Sequence, residues 1–214
     1  MGIEIERKFL PKDHNWRPEG EPDQIVQGYF CFGNGTAQAE IHRTPHNAWL
    51  FMLYPENTTV PVCFELPRGD SLELKQLHPG SFAEKWYARV RQSSQNGSML
   101  TIKGPRDSFS RLSRPEYEYP LQDNQTRELL RLCSKAQLVK DRYRIPHRKH
   151  VWEVDVFQSP AKGLIICEVE MQSPSEHVSL PDWVGTEVTH DKAYRNSRIA
   201  KRKSPLAQTA PLYA

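Results

Sequence analysis

Glu4, Glu6 and Lys8 alternate with Ile3, Ile5 and Phe9 within the first ten residues of the chain. In an extended strand successive side chains point to opposite faces, so this spacing lines two carboxylates and an ammonium along one face. The two-residue period returns repeatedly. Arg89 and Arg91 flank Val90, Lys103 follows Thr101 and Ile102, and Glu116 and Glu118 alternate with Tyr117 and Tyr119. Lys140, Arg142 and Arg144 alternate with Asp141, Tyr143 and Ile145. Glu153 and Asp155 interleave with Trp152, Val154 and Val156, and Glu168 and Glu170 with Cys167, Val169 and Met171. Any one of these segments reads as a half-solvated antiparallel strand. Together they read differently, because a solvated face normally mixes Thr, Ser, Gln and Lys, whereas these positions are almost purely ionic. The pattern predicts a mainly β, α+β fold: an antiparallel barrel with ionic faces inward, apolar faces outward, and helices packed over the outside. Asn124 to Ala136, with Leu129, Leu130, Leu132 and Cys133, has the period of one such helix. A second is expected from Asp191 to about Arg202, burying Tyr194 and Ile199.

A lumen filled with ions is costly unless its charges neutralise one another or hold a ligand. Cationic strands facing acidic ones suit a strongly anionic ligand that travels with divalent metal. Arg grips phosphate oxygens as a bidentate fork and Lys as a point charge, while carboxylates suit Mg2+, which prefers oxygen ligands and keeps several waters. A polyphosphate with its metal ions matches both halves of the lining.

Glu4-Ile5-Glu6-Arg7-Lys8 is similar to the ExExK signature of the CYTH superfamily, the triphosphate tunnel metalloenzymes, which includes triphosphatases and class IV adenylate cyclases. The resemblance continues in the family's order through Gln27-Gly28-Tyr29, Arg89-Val90-Arg91, Leu100-Thr101-Ile102-Lys103-Gly104 and Glu116-Tyr117-Glu118-Tyr119. It then runs through Lys140-Asp141-Arg142-Tyr143, Trp152 to Phe157, Gly163-Leu164, Glu168-Val169-Glu170 and Glu187-Val188-Thr189 to Tyr194 and Asn196. It implies an eight-stranded antiparallel tunnel and metal-dependent chemistry at a triphosphate. Carried over residue by residue, it implies that Glu4, Glu6, Asp155, Glu168 and Glu170 hold Mg2+ or Mn2+. Lys8, Arg89, Arg91, Lys103, Lys140, Arg142 and Lys192 would hold the polyphosphate. Glu4, Glu6, Lys8 and Lys140 form the catalytic group, Lys140 as general base, proton relay or a further phosphate clamp. Glu116 and Glu118 would orient the arginines, with metal ligation as the alternative, and Glu153 would form a structural ion pair.

Two departures from the family stand out. About fifty residues, roughly 31 to 85, separate the Gln27 strand from the Arg89 strand where a short hairpin suffices. Within them Trp49 to Tyr54 and Val60 to Leu66 are expected to pair as a hairpin, and the insertion is a candidate lid or partner surface. The other departure is Ala193, where the family often has arginine; Lys192 is the expected substitute. The domain expected is a single tunnel unit over 1–203, interrupted by the insertion, with a loosely ordered tail at 204–214.

Composition narrows the classes. The 214 residues carry a net charge of only +3, which does not suit a general nucleic-acid binder. No apolar run approaches the length of a membrane helix, and the ionic N-terminus is unlike a signal peptide, so no membrane partner is expected and a cytoplasmic protein is. Cys31, Cys63, Cys133 and Cys167 lack CxxC spacing, and His42, His46, His147 and His150 lack zinc-site spacing. The function expected is hydrolysis of inorganic tripolyphosphate to pyrophosphate and phosphate. The alternatives are a nucleoside or thiamine triphosphatase, a class IV-type cyclase and a non-catalytic polyphosphate binder. An organic moiety would need an aromatic platform, for which Trp49, Phe51 and Trp86 are candidates. A homodimer is left open.

Overall fold

A computed structural model describes residues 2–12, 16, 18, 20–31, 37–43, 45–46, 49–55, 62–66, 87–103, 113–133 and 135–202. The strands predicted from alternation form: β1 (Gly2–Pro11) and β2 (Asp23–Cys31) come first. Within the insertion lie β3 (Ala37–Arg43), β4 (Trp49–Pro55) and β5 (Val62–Leu66). Then follow β6 (Tyr87–Ser93), β7 (Gly97–Lys103), β8 (Ser113–Pro120) and helix α1 (Asp123–Leu132). The hairpin β9 (Gln137–His147) and β10 (His150–Ser159) leads to β11 (Ile165–Glu170) and β12 (Val184–Glu187). A 3-10 turn (Lys192–Tyr194) and the short helix α2 (Asn196–Ile199) follow.

The main sheet is antiparallel and has nine strands in the order β11-β10-β9-β2-β6-β7-β8-β1-β12. The ninth strand is β12, a four-residue addition beside β1 that the alternation did not announce. β1 pairs in addition with β11, with Glu6 opposite Glu170 and Lys8 opposite Glu168. The three insertion strands form a separate sheet in the order β3-β4-β5. The expected Trp49 and Val60 hairpin is there as β4 and β5, and β3 joins it. Residues 204–214 and Trp86 lie outside the described residues, as do the side chains of Trp49 and Phe51.

The outward apolar faces are covered in two ways. α1 lays Leu129 and Cys133 over Phe30, Ala88, Val90, Leu100, Ile102 and Tyr117, and Leu53 of β4 joins this cluster. On the other side Ile5, Phe9, Trp152, Val154, Cys167 and Val169 are covered by Trp16, Met171, Val178 and Trp183, which lie in connecting segments and not in helices. The C-terminal helix departs from expectation. Arg195 is extended (φ −75°, ψ 129°), which splits the stretch into a 3-10 turn and a four-residue helix. Its fully buried Ile199 packs with Leu138, Phe157 and Ile166, which share strand faces with the ionic residues. One end of the ionic faces is therefore apolar.

Gly28 lets α1 approach. A Cβ there would lie 1.9 Å from Cys133 Sγ and 3.2 Å from Val90 Cγ1. Cys133 cannot swing aside readily, being buried with its thiol donating to the Leu129 carbonyl at 3.1 Å. Gly28→Ala is expected to cost about 1–3 kcal/mol of stability through overpacking, read as a lower urea midpoint. An unchanged midpoint would show that α1 yields freely.

Candidate functional site

The ionic faces line a cavity of about 1350 Å³, above the roughly 300–1,000 Å³ of an ordinary small-molecule site. Among the described residues its lining holds ten Lys or Arg side chains and eight glutamates. Strand alternation aims them inward: Glu4, Glu6 and Lys8 from β1, Arg89 and Arg91 from β6, Lys103 from β7, Glu116 and Glu118 from β8. Arg142, Glu153, Glu168 and Glu170 come from β9, β10 and β11. All of these were anticipated from the alternation or from the family resemblance. Lys192 lines the cavity as well.

Most of the charges are already matched. Lys8 Nζ pairs with Glu168 and, at 3.3 Å, with Glu6. Burial works against its charge, but Glu168 and Glu6 hold its pKa above the usual lysine value. Lys103 Nζ lies 2.5 Å from Glu4 and 3.2 Å from Glu116. Glu116 and Glu118 stand 3.5 Å from Arg89, and Glu118 stands 3.8 Å from Arg91. Arg142 is gripped by Glu153, by Asp155 at 2.6 Å and by Glu168 at 2.8 Å.

Asp155 and Lys140 occupy a different place from the one expected. Both are fully buried, pair with each other, and do not belong to the cavity lining. Both carboxylate oxygens of Asp155 are engaged, Oδ1 by Arg142 Nε and Oδ2 by Lys140 and by Arg142 Nη2 at 2.8 Å. Burial raises the cost of the Asp155 charge, but Arg142 and Lys140 outweigh it and bring its pKa down to about 2. The Lys140 pKa is pushed down to about 8, first by burial and next by Arg142. The lowering expected from cationic neighbours is present, but burial contributes more to it.

Two spots remain out of balance. The Glu170 pKa is raised by burial and then by the carboxylates of Glu153, Glu4, Glu116 and Glu6. That is a surplus of negative charge. The Arg91 pKa is lowered by burial and then by Arg89, with Glu118 only partly offsetting them. That is a surplus of positive charge in the same cavity. Arg89 Nε and Arg91 Nε are also buried without a hydrogen-bond partner. The site thus presents a pole for a cation beside a pole for an anion.

The alternation did not single out Arg195, Asn196, Ser197 and Arg198, which line the cavity from the C-terminal segment, or Lys149 at the β9–β10 end, where Arg144, which it did mark, lines the cavity too. The signal for two of them was available: Lys192, Arg195 and Arg198 recur every third residue in a stretch without Asp or Glu. His150 Nε2 meets Glu176 Oε1 at 2.9 Å and His147 Nε2 meets Ser179 Oγ at 3.4 Å, tying the β9–β10 hairpin to the segment after β11.

The fold and the lining define a mainly antiparallel β protein built around one strongly ionic cavity. The chain belongs to the CYTH domain family, which it matches over residues 79–202. β1 and β2 precede that stretch, yet pair directly with strands inside it. An inorganic triphosphatase of Acetivibrio thermocellus is 40% identical over 114 residues, 53% of this chain and 70% of that protein. An inorganic triphosphatase of Nitrosomonas europaea is 34% identical over 116 residues, 52% of this chain and 73% of that protein. A crystal structure of an inorganic triphosphatase shares 24% identity at a TM-score of 0.49, covering 95% of this chain and 98% of that one. Among the described residues no helix is long and apolar enough to cross a membrane.

Proposed function

We propose that the protein hydrolyses inorganic tripolyphosphate to pyrophosphate and phosphate with the help of a divalent cation. The observation that carries this reading is the pair of unbalanced poles, Glu170 among carboxylates and Arg91 among cations, within one cavity. The names of the two relatives support the choice of substrate. The pairing of β1 with β11 supports reading the sheet as a tunnel around the site.

The residues fit the cation. Every acidic donor in the lining is a carboxylate, which suits Mg2+ or Mn2+. Among the described residues no three acidic, His or Cys side chains gather tightly enough to hold a metal unaided. That agrees with a hard ion bound by one or two carboxylates and completed by substrate oxygens and water. One or two of Glu4, Glu6, Glu168 and Glu170 would hold it, with Asp155 supporting the site from behind through Arg142. When bound, the cation would neutralise phosphate oxygens and lower the pKa of a coordinated water.

The chain's own residues do the remainder. Arg89, Arg91 and Arg142 are fixed by carboxylates before substrate arrives, so their donors are aimed without reorganisation when charge builds on the phosphoryl group. Lys8, now held by Glu168 and Glu6, and Lys103, now held by Glu4 and Glu116, would turn to phosphate oxygens if those carboxylates served a bound cation. Lys140 acts from behind this wall, its charge reaching the substrate only through Asp155 and Arg142.

The test is phosphate release from tripolyphosphate, ATP, thiamine triphosphate and long-chain polyphosphate, each with Mg2+, Mn2+ or EDTA. Fastest turnover of tripolyphosphate, abolished by EDTA, is expected. Preference for an organic triphosphate would replace the inorganic reading. Turnover that survives EDTA would remove the metal.

A further inference from the structure

β1 changes neighbours midway along its length. Among the described residues β8 pairs with it as far as Ile5, and β11 pairs with it from Glu6 to Phe9. A residue in an antiparallel strand points its N–H and C=O to the same edge, and successive residues alternate between edges. The Ile5 carbonyl accepts from Met171 N on the β11 side, so Lys8 faces the opposite edge. There Val188 N donates to the Lys8 carbonyl at 2.8 Å, and Lys8 N donates to the hydroxyl of buried Thr189 at 3.0 Å. A side-chain oxygen thus stands where a strand carbonyl would. A hydroxyl has one proton to give. Thr189 Oγ1 lies 2.6 Å from Glu187 Oε1 and 3.4 Å from the Lys8 carbonyl, so the proton goes to Glu187 and a lone pair is left for Lys8 N–H. Glu187 is held in turn by both arms of the Arg7 fork, at 3.0 and 2.6 Å. Arg7 occupies the β1 face opposite Glu6 and Lys8, and neither it nor Glu187 nor Thr189 lines the cavity.

We propose that Arg7, Glu187 and Thr189 are positioning residues, a clamp that fixes the Lys8 backbone from outside the cavity so that its ammonium meets the bound anion in one place. The inference rests on the triphosphatase reading, in which Lys8 turns to phosphate oxygens. The clamp is directional: Arg7 orients Glu187, Glu187 orients the Thr189 hydroxyl, and the hydroxyl holds Lys8. Loss of any link frees the strand at the residue whose side chain enters the site, and small misplacements of a group that grips the reacting phosphate are costly in rate.

The experiment compares wild type, Thr189→Val and Thr189→Ser by urea unfolding, by steady-state hydrolysis of tripolyphosphate with Mg2+ and by calorimetric binding of tripolyphosphate in EDTA. Thr189→Val leaves Lys8 N–H without its acceptor; kcat is expected to fall at least about tenfold and the metal-free Kd to rise about three- to tenfold. A residue that only stabilised the fold would lower the urea midpoint and leave both values of the folded protein unchanged. Thr189→Ser, which keeps the hydroxyl, should restore most of both losses. Arg7→Met, which keeps an apolar stem beside the Phe9 ring but cannot orient Glu187, should act in the same direction as Thr189→Val and takes its place if that variant fails to fold. Unchanged kcat and Kd in the folded variant, or a loss that Thr189→Ser does not restore, would overturn the clamp. If wild type binds tripolyphosphate without hydrolysing it, the triphosphatase reading falls and the binding comparison still decides the clamp; neither binding nor turnover in wild type would overturn both.

Discussion

Replacing Glu170 with Gln is expected to uncouple stability from turnover. Glu170 stands among Glu153, Glu4, Glu116 and Glu6, and their repulsion together with burial raises its pKa. Without metal, removing its charge relieves that repulsion, so the variant should melt at or above the temperature of wild type in EDTA. With Mg2+ or Mn2+ the order should reverse. A ligand that binds the folded state raises apparent stability in proportion to its affinity, and the variant has lost part of the site. Phosphate release from tripolyphosphate should fall by at least about 10- to 100-fold, the loss typical even when only a residue supporting a metal ligand is changed. Thermal melts with and without metal, beside the phosphate assay, check all three parts. A variant less stable than wild type in EDTA would mean that Glu170 is held by a cation of the protein itself, and full turnover would remove it from the metal set.

The other large effect is expected at Asp155. Its removal by Asp155→Leu strands Lys140 in a wholly buried setting and takes from Arg142 one of its three carboxylate partners, and breaking one side of a buried ion pair costs about 3–5 kcal/mol. The double variant Asp155→Leu with Lys140→Met should regain part of the loss, since one uncompensated cation goes with it. Urea unfolding of the four proteins completes the cycle; a single variant as stable as wild type would show that water reaches the pair. The pH dependence follows from the same geometry. The folded Asp155 pKa, about 2, lies below its ordinary value of 3.8. The folded state therefore binds its proton less readily than the unfolded chain. The stability from this group is complete above the ordinary value and is lost as pH falls through about 2. Wild type should lose more stability over that window than Asp155→Leu, which keeps the losses from other depressed carboxylates, among them Asp23, Glu168 and Glu187.

Much of this arrangement was legible because a strand's period is short and unambiguous. Alternation alone assigned Glu4, Glu6, Lys8, Arg89, Arg91, Glu116, Glu168 and Glu170 to one set of faces, and all of them line the cavity. Alternation reports which face a side chain takes, however, and not its position along the strand's length. Lys140 and Arg142 share a face of β9, yet Arg142 reaches the cavity while Lys140 lies sealed beside Phe157 and Asp155. The C-terminal stretch was misjudged for another reason. Its apolar positions Tyr194 and Ile199 suit a single helix, but the extended backbone at Arg195 breaks it, and Lys192, Arg195 and Arg198 line the cavity from this broken stretch. β3 was missed although Ala37, Ala39 and Ile41 alternate with Gln38, Glu40 and His42, because two of its three apolar positions are alanine, a residue with little β preference.

The partners of β1 lie far along the chain. Its rungs are made with β8, β11 and β12, and Arg7 meets Glu187 across 180 residues of sequence. During synthesis the first strand therefore emerges long before anything it can pair with, and contacts this distant slow folding and prolong the exposure of unpaired edges. An apolar strand left waiting in that way would recruit other chains. Charges at Glu4, Glu6, Arg7 and Lys8 are of the kind that keeps an unpaired strand hydrated until a partner such as β8 arrives, so three of the side chains that line the cavity also suit a strand that has to wait.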